Sequence, residues 1–135
     1  MNSEQNRQLL ASVFEALAKG DTRPFVDAMA DEFRWRFPGQ WSWSRDWGHT
    51  KQEVLARMLG PLMAQFTEYR ARAEEILADG DRVVIRATAD AMTTRGDPYP
   101  QSYCYVFQVR DGRLTEVLEY CDTALVERAL ALPEG

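Results

Sequence analysis

QSYCYVFQVRDGRLTEVLEYC, residues 101–121, decides the reading of the fold. Gln101, Tyr103, Tyr105 and Phe107 alternate with Ser102, Cys104, Val106 and Gln108, and the alternation resumes beyond Asp111-Gly112 through Val117, Glu119 and Cys121. Period-two runs on both sides of an Asp-Gly pair predict two antiparallel strands, 101–110 and 114–121, joined by a tight hairpin. Working backwards, the same period predicts strands over 68–78 and 82–93, separated by Asp79-Gly80-Asp81 and followed by Gly96-Asp97-Pro98. The second half of the chain is therefore a meander of four long antiparallel strands. Downstream, Leu125, Val126, Ala129 and Leu130 predict a short closing helix over 123–131.

Upstream of the meander the period is helical. Leu9, Leu10, Val13, Phe14 and Leu17 share one face of a helix over 3–19, with Ser3 placed to cap it and Gly20 to stop it. Pro24 suits the first turn of a second short helix burying Phe25, Val26 and Met29. EFRWRF, residues 32–37, alternates Phe33, Trp35 and Phe37 with charged residues and predicts a strand that ends at Pro38. Thr50 and Glu53 form a capping box before a third helix, which Gly60 and Pro61 are expected to kink or break. Helices and strands that segregate along a chain predict an α+β domain, here one domain over residues 1–135. Three N-terminal helices on one face of a curved sheet leave a hollow between the layers.

The bulk properties narrow the function classes. The chain has 135 residues, 16 basic and 21 acidic side chains, and a formal charge of -5. This balance offers no attraction to nucleic acid or to anionic membranes. No apolar run approaches membrane-spanning length, and the opening MNSEQNRQ is unlike a signal peptide, so a cytoplasmic protein is expected. The single histidine and two cysteines match no ligand spacing, so neither a metal nor a cofactor is expected.

The order of elements, with Lys19-Gly20-Asp21, Gly48, Gly80-Asp81-Arg82-Val83-Val84 and the ending GRLTEVLEYCDTALVERAL, resembles the SnoaL-like superfamily. That superfamily includes nuclear transport factor 2, ketosteroid isomerase and limonene epoxide hydrolase. The resemblance covers nearly the whole chain. It implies a cone-shaped curved antiparallel sheet packed against three N-terminal helices, with a short C-terminal helix, an internal pocket for a small apolar organic ligand, and a homodimer packed sheet to sheet. It also implies a strand orientation. Arg86, Thr88, Asp90 and Met92 are expected inside from one strand, Gln101, Tyr103, Tyr105 and Phe107 from the next, and Val117, Glu119 and Cys121 from the last. Cys104 then lies outside and does not pair with Cys121.

The known chemistries of the superfamily fit in part. The hydrolase pattern places two inward aspartates around an arginine; here Asp90 matches one aspartate, Glu119 stands at the other, and Thr88 replaces the arginine, with Arg86 one inward step away. The isomerase base is replaced by Phe37 before Pro38, and a phenyl ring accepts no proton. An inward acid of the kind used by the polyketide cyclases remains in Glu119 and Asp90. A carboxyl in an apolar hollow loses solvation and shifts toward the range useful for proton transfer. Glu119 and Asp90 are thus the candidate acid and base. Trp35, Phe37, Trp41, Trp43, His49, Arg86, Thr88, Tyr103, Tyr105 and Cys121 are the candidate ligand contacts. The tryptophans of WSWSRDW, residues 41–47, have three open roles: a roof over the pocket, a dimer interface, or a satellite of the core. The expected activity is cofactor-independent isomerisation, cyclisation or hydrolysis, against the alternatives of a non-catalytic ligand-binding module or a dimerising interaction protein.

Overall fold

The computed structural model describes residues 2–133, in which the predicted elements appear in their predicted order. Helices α1 (Ser3–Leu17) and α2 (Arg23–Ala28) precede strand β1 (Met29–Arg36). A loop leads to α3 (Lys51–Val54), which runs through a π-turn (Leu55–Leu59) into α4 (Gly60–Met63). The meander follows as β2 (Phe66–Asp79), β3 (Arg82–Thr93), β4 (Ser102–Arg110) and β5 (Arg113–Cys121), and α5 (Thr123–Ala129) closes the chain. The sheet order is β1-β5-β4-β3-β2, with β1 parallel to β5 and every other pair antiparallel. The sheet curves without closing. None of the helices among the described residues is long and apolar enough to cross a membrane.

Local chemistry explains the boundaries. Asn2, rather than Ser3, caps α1: its side chain accepts from the Gln5 backbone N–H while the Gln5 side chain returns a bond to Asn2. The Ser3 hydroxyl instead accepts from the Gly80 backbone N–H at 2.7 Å, and Asn6 donates to the Gly80 carbonyl at 2.9 Å. The start of α1 is thereby pinned to the β2–β3 turn. At the β4–β5 turn both Asp111 (φ 50°) and Gly112 (φ 75°) adopt positive φ, the geometry a two-residue hairpin needs. Pro61 does not break the third helical segment. The chain widens by one residue before it, with the Gly60 N–H reaching back to the Leu55 carbonyl, and this π-turn accommodates the proline. A Cβ at Gly60 would lie 2.8 Å from that carbonyl oxygen, so the tight approach requires glycine.

The inner face of β3 carries Val83, Ile85, Ala87, Ala89 and Ala91, all buried. The registers align these with Tyr105 and Tyr103 of β4 and with Ala73, Ala71 and Tyr69 of β2. This corrects the orientation expected for β3. Arg86 and Asp90 are exposed and Thr88 half-buried on the outer face, with Arg86 beside Cys104, Thr88 beside Ser102 and Asp90 beside Arg70. The physical reason is the pairing itself. Once the aromatic face of β4 is inside, its direct partners on β3 must be inside too, and the opposite parity would bury two charges at a cost of several kcal/mol each.

The loop between β1 and α3 is more ordered than its glycines suggest. The Phe37 N–H donates to the Arg45 carbonyl and the Trp47 N–H to the Trp35 carbonyl, so the chain doubles back along β1. Asp46 is tied to Arg34 of β1 by an ion pair. Gly48 then makes the entry to α3, where a Cβ would sit 2.7 Å from that of Glu53.

Candidate functional site

An alanine does part of the work of making space. Ala71 of β2 borders the cavity with little volume, while Tyr69, Tyr99, Tyr103 and Tyr105 reach in from the flanks. The helices and the tryptophan loop close the other side. What remains is a cavity of about 260 Å³, walled by aromatic and aliphatic side chains from α2, β1, the third helical segment, the sheet and α5. Concave, apolar sites with few polar groups are the form small organic ligands take up.

Glu119 is the one carboxylate in that wall among the described residues, 6% exposed. Burial raises its pKa from an ordinary 4.5 to about 8, against a smaller lowering by the neighbouring Trp35 indole and Cys121 thiol. At neutral pH the carboxyl is mostly protonated, and it exchanges its proton within the working range. Cys121 feels the reverse influence: burial and the Glu119 charge push its thiol well up, so it stays an inert neutral neighbour. Burial likewise raises Tyr69, Tyr103 and Tyr105, which remain protonated donors. The Tyr69 and Tyr103 hydroxyls share a hydrogen bond of 2.6 Å, and Tyr103 stacks on Tyr105 with centroids 5.0 Å apart.

A second polar layer holds this wall in place. Gln101, 1% exposed, donates to the Tyr99 hydroxyl and to the Asp122 carbonyl, and its oxygen accepts from the Ser102 and Asp122 backbone N–H groups. It fixes the start of β4 to the end of β5, beside Glu119 and Cys121. Its orientation toward the sheet interior is the one the family resemblance implies, but its office is structural.

Of the candidate contacts, Trp35, Phe37, Trp41, Trp43, Tyr103, Tyr105 and Cys121 meet around Glu119 in the cavity wall. Arg86, Thr88 and Asp90 lie on the other side of the sheet, and His49 is exposed at the entry to α3, outside the wall. The paired-carboxylate arrangement therefore does not form. The loop tryptophans divide their roles. Trp41 stacks against Phe37 at 5.4 Å and Trp43 donates its indole N–H to the Ala131 carbonyl, both in the cavity wall. Trp47 is 1% exposed, donates to the Trp43 carbonyl and supports the loop from beneath. Ser42 is tied to Glu127 of α5, so the loop is latched to the C-terminal helix.

Sequence reasoning missed Tyr69, Tyr99, Phe66 and the Leu59–Met63 segment of the wall. Tyr69 was legible in principle, since Tyr69, Ala71 and Ala73 alternate with charged Glu68, Arg70, Arg72 and Glu74. Tyr99 lies in the irregular stretch before β4, where no period points inward.

Solved structures share this architecture. A protein of unknown function from Burkholderia pseudomallei, described as NTF2-like, has a TM-score of 0.78 at 22% identity, covering 94% of this chain and 98% of its own. A candidate SnoaL-like polyketide cyclase from Jannaschia sp. CCS1 has a TM-score of 0.78 at 17% identity, covering 98% and 95%. TerC, co-crystallized with polyporic acid, has a TM-score of 0.76 at 18% identity, covering 93% and 97%. None of the curated proteins matches the chain. At these identities the likeness is one of fold. The family assignment rests on the sequence itself: residues 10–117, from the buried face of α1 to the inner face of β5, match the model of the SnoaL-like domain, and the chain belongs to that family.

Proposed function

We propose that the chain binds a small apolar organic molecule in the cavity and moves a proton on it through Glu119. The observation that carries this reading is one buried carboxyl, poised at about 8, in a wall otherwise built of aromatic and aliphatic groups. A general acid or base works best with its pKa near the operating pH. One such group suffices for isomerisation, where the carboxylate takes a proton from one carbon and returns it to another. It also suffices for an aldol-type ring closure, where the proton leaves carbon, a carbon–carbon bond forms to a carbonyl carbon, and the new alkoxide recovers the proton. Hydrolysis by the two-acid route is disfavoured because Asp90, Arg86 and Thr88 face away. The hydrogen-bonded Tyr69–Tyr103 pair has one hydroxyl proton left to donate to the ligand and orients it as a neutral group, and Trp41 and Trp43 roof it.

Mass spectrometry of whatever co-purifies identifies the molecule to test. With that molecule, Glu119→Gln is expected to remove turnover while leaving binding within about threefold, since the amide keeps the shape and loses the proton. Retained turnover removes Glu119 from the mechanism and leaves the non-catalytic binder as the reading.

We also propose the homodimer, through the outer face of the sheet. Val84, Val106 and Leu118 form one cross-strand row there, beside Cys104 and the half-exposed Tyr120. Such a row of apolar side chains gains by being covered. Val106→Arg is expected to halve the mass found by light scattering, and a wild-type protein of monomer mass overturns the interface.

A further inference from the structure

Trp35 sits on β1 with its ring 3% exposed and in the cavity wall. Three rings hold it in place: Phe25 at 5.5 Å, Phe33 at 6.0 Å and Phe37 at 6.3 Å. Its indole N–H lies near enough to Glu119 to favour the charged carboxylate, yet no acceptor meets it in hydrogen-bond geometry. A buried donor that no acceptor meets in hydrogen-bond geometry costs free energy, and its pull on Glu119 recovers only part of it. Its neighbours among the loop tryptophans are satisfied, since Trp41, Trp43 and Trp47 each donate to a backbone carbonyl. Among the four indoles the unmet donor is thus the one beside the buried carboxyl. No arginine, lysine or histidine lines the cavity among the described residues. An anionic ligand would enter without a counter-charge and face Glu119 as it ionises, which low dielectric makes costly.

We propose that the Trp35 indole N–H receives a carbonyl or enol oxygen of an uncharged ligand, placing the carbon beside that oxygen against Glu119. The inference deepens the reading of Glu119 as a proton carrier and depends on the same cavity. In it, Trp35 fixes the position and charge class of the ligand: neutral aromatic or alicyclic carbonyl compounds are accepted, and carboxylates of the same shape are rejected. A negative charge that grows on the oxygen as a proton leaves the adjacent carbon would strengthen the same hydrogen bond, so the donor also favours the enolate-like state.

The test uses three naphthalenes of matched shape: acetylnaphthalene, isopropylnaphthalene and naphthoate. On the wild-type protein near neutral pH, the ketone is expected to bind about tenfold more tightly than the hydrocarbon, the value of one added hydrogen bond, and the carboxylate about tenfold or more below the ketone. The Trp35 indole N–H proton resonance is expected to move downfield with the ketone and to stay in place with the hydrocarbon. Trp35→Phe should erase the ketone's advantage while leaving the hydrocarbon within about twofold. Equal affinities for ketone and hydrocarbon, an indole signal the ketone leaves unmoved, or no binding of the ketone at millimolar concentration overturns the proposal. The resonance needs no variant, so it decides even if Trp35→Phe fails to fold. Glu119→Gln separates the two readings. Retained turnover in that variant, with the ketone preference intact, sinks the proton carrier and spares the Trp35 site; the converse pattern sinks the site alone.

Discussion

Replacing Glu119 by glutamine should stabilise the folded protein at alkaline pH by several kcal/mol and leave it nearly unchanged in acid. In the folded chain burial holds the carboxyl at about 8, whereas its ordinary value is 4.5. Below the ordinary value both folded and unfolded chains carry the proton, and the group costs nothing. Between the two values the unfolded chain has lost its proton and the folded chain keeps it. Stability then falls as pH rises, by about 1.4 kcal/mol per pH unit for this one group. Above the folded value the carboxylate is charged in both states and the full desolvation penalty, roughly 5 kcal/mol, is in force. Glutamine cannot ionise and escapes it. Urea unfolding of both proteins at about pH 5 and about pH 9 reads the difference directly, with the midpoints nearly coincident in acid and the variant well ahead in base. Parallel shifts at both pH values would mean that the carboxyl is solvated. A domain of this size has only about 5–15 kcal/mol to lose, so a buried acid of this kind is retained at a substantial fraction of the total stability. That cost is itself an argument that the proton is used.

The sheet was legible because two signals agreed, alternation along the strands and glycine-aspartate turns between them. β3 and β5 begin and end within a residue of the reading from sequence, and the hairpin at Asp111-Gly112 forms with both residues at positive φ. The facing of β3 was legible as well, but in its apolar residues and not in its charges. Val83, Ile85, Ala87, Ala89 and Ala91 announce a buried face, and the family resemblance led to the opposite parity for Arg86, Thr88 and Asp90. A slip of one residue exchanges the two faces of a strand, so an assumed register carried two charges and a hydroxyl to the wrong side. For β5 the resemblance implies an inward Glu119, and the structure has it there because Glu119 pairs directly with Tyr105 of the aromatic row of β4. The cavity wall contributed by α4, Phe66 and Tyr99 was not legible. It depends on how far helices stand from a curved sheet, a distance set by side-chain volumes across several elements and not by any local pattern.

Trp47→Ala is expected to destabilise the protein by about 3–5 kcal/mol, while Trp41→Ala costs about 1 kcal/mol or less. The two rings lie in one loop and differ in what they touch. Trp47 is almost wholly buried against Trp43 at 5.5 Å, its indole N–H bonds the Trp43 carbonyl, and the Arg45 guanidinium covers its outer face at 4.4 Å. Removing it opens a void under the loop, orphans that carbonyl and releases the strand-like pairing of Trp47 with Trp35 from its anchor. Trp41 is only partly buried and already borders empty space, so truncation enlarges a cavity instead of creating one. Denaturant unfolding should therefore separate the variants by several kcal/mol, and ligand affinity should separate them in the other direction, with Trp41→Ala losing apolar contact in a protein that still folds. Similar losses of stability in both variants would show that the loop packs as one unit. A large difference makes Trp47 the post on which Trp41 and Trp43 are held over the site, which is why a loop of this length carries aromatic area that neither the helices nor the sheet requires.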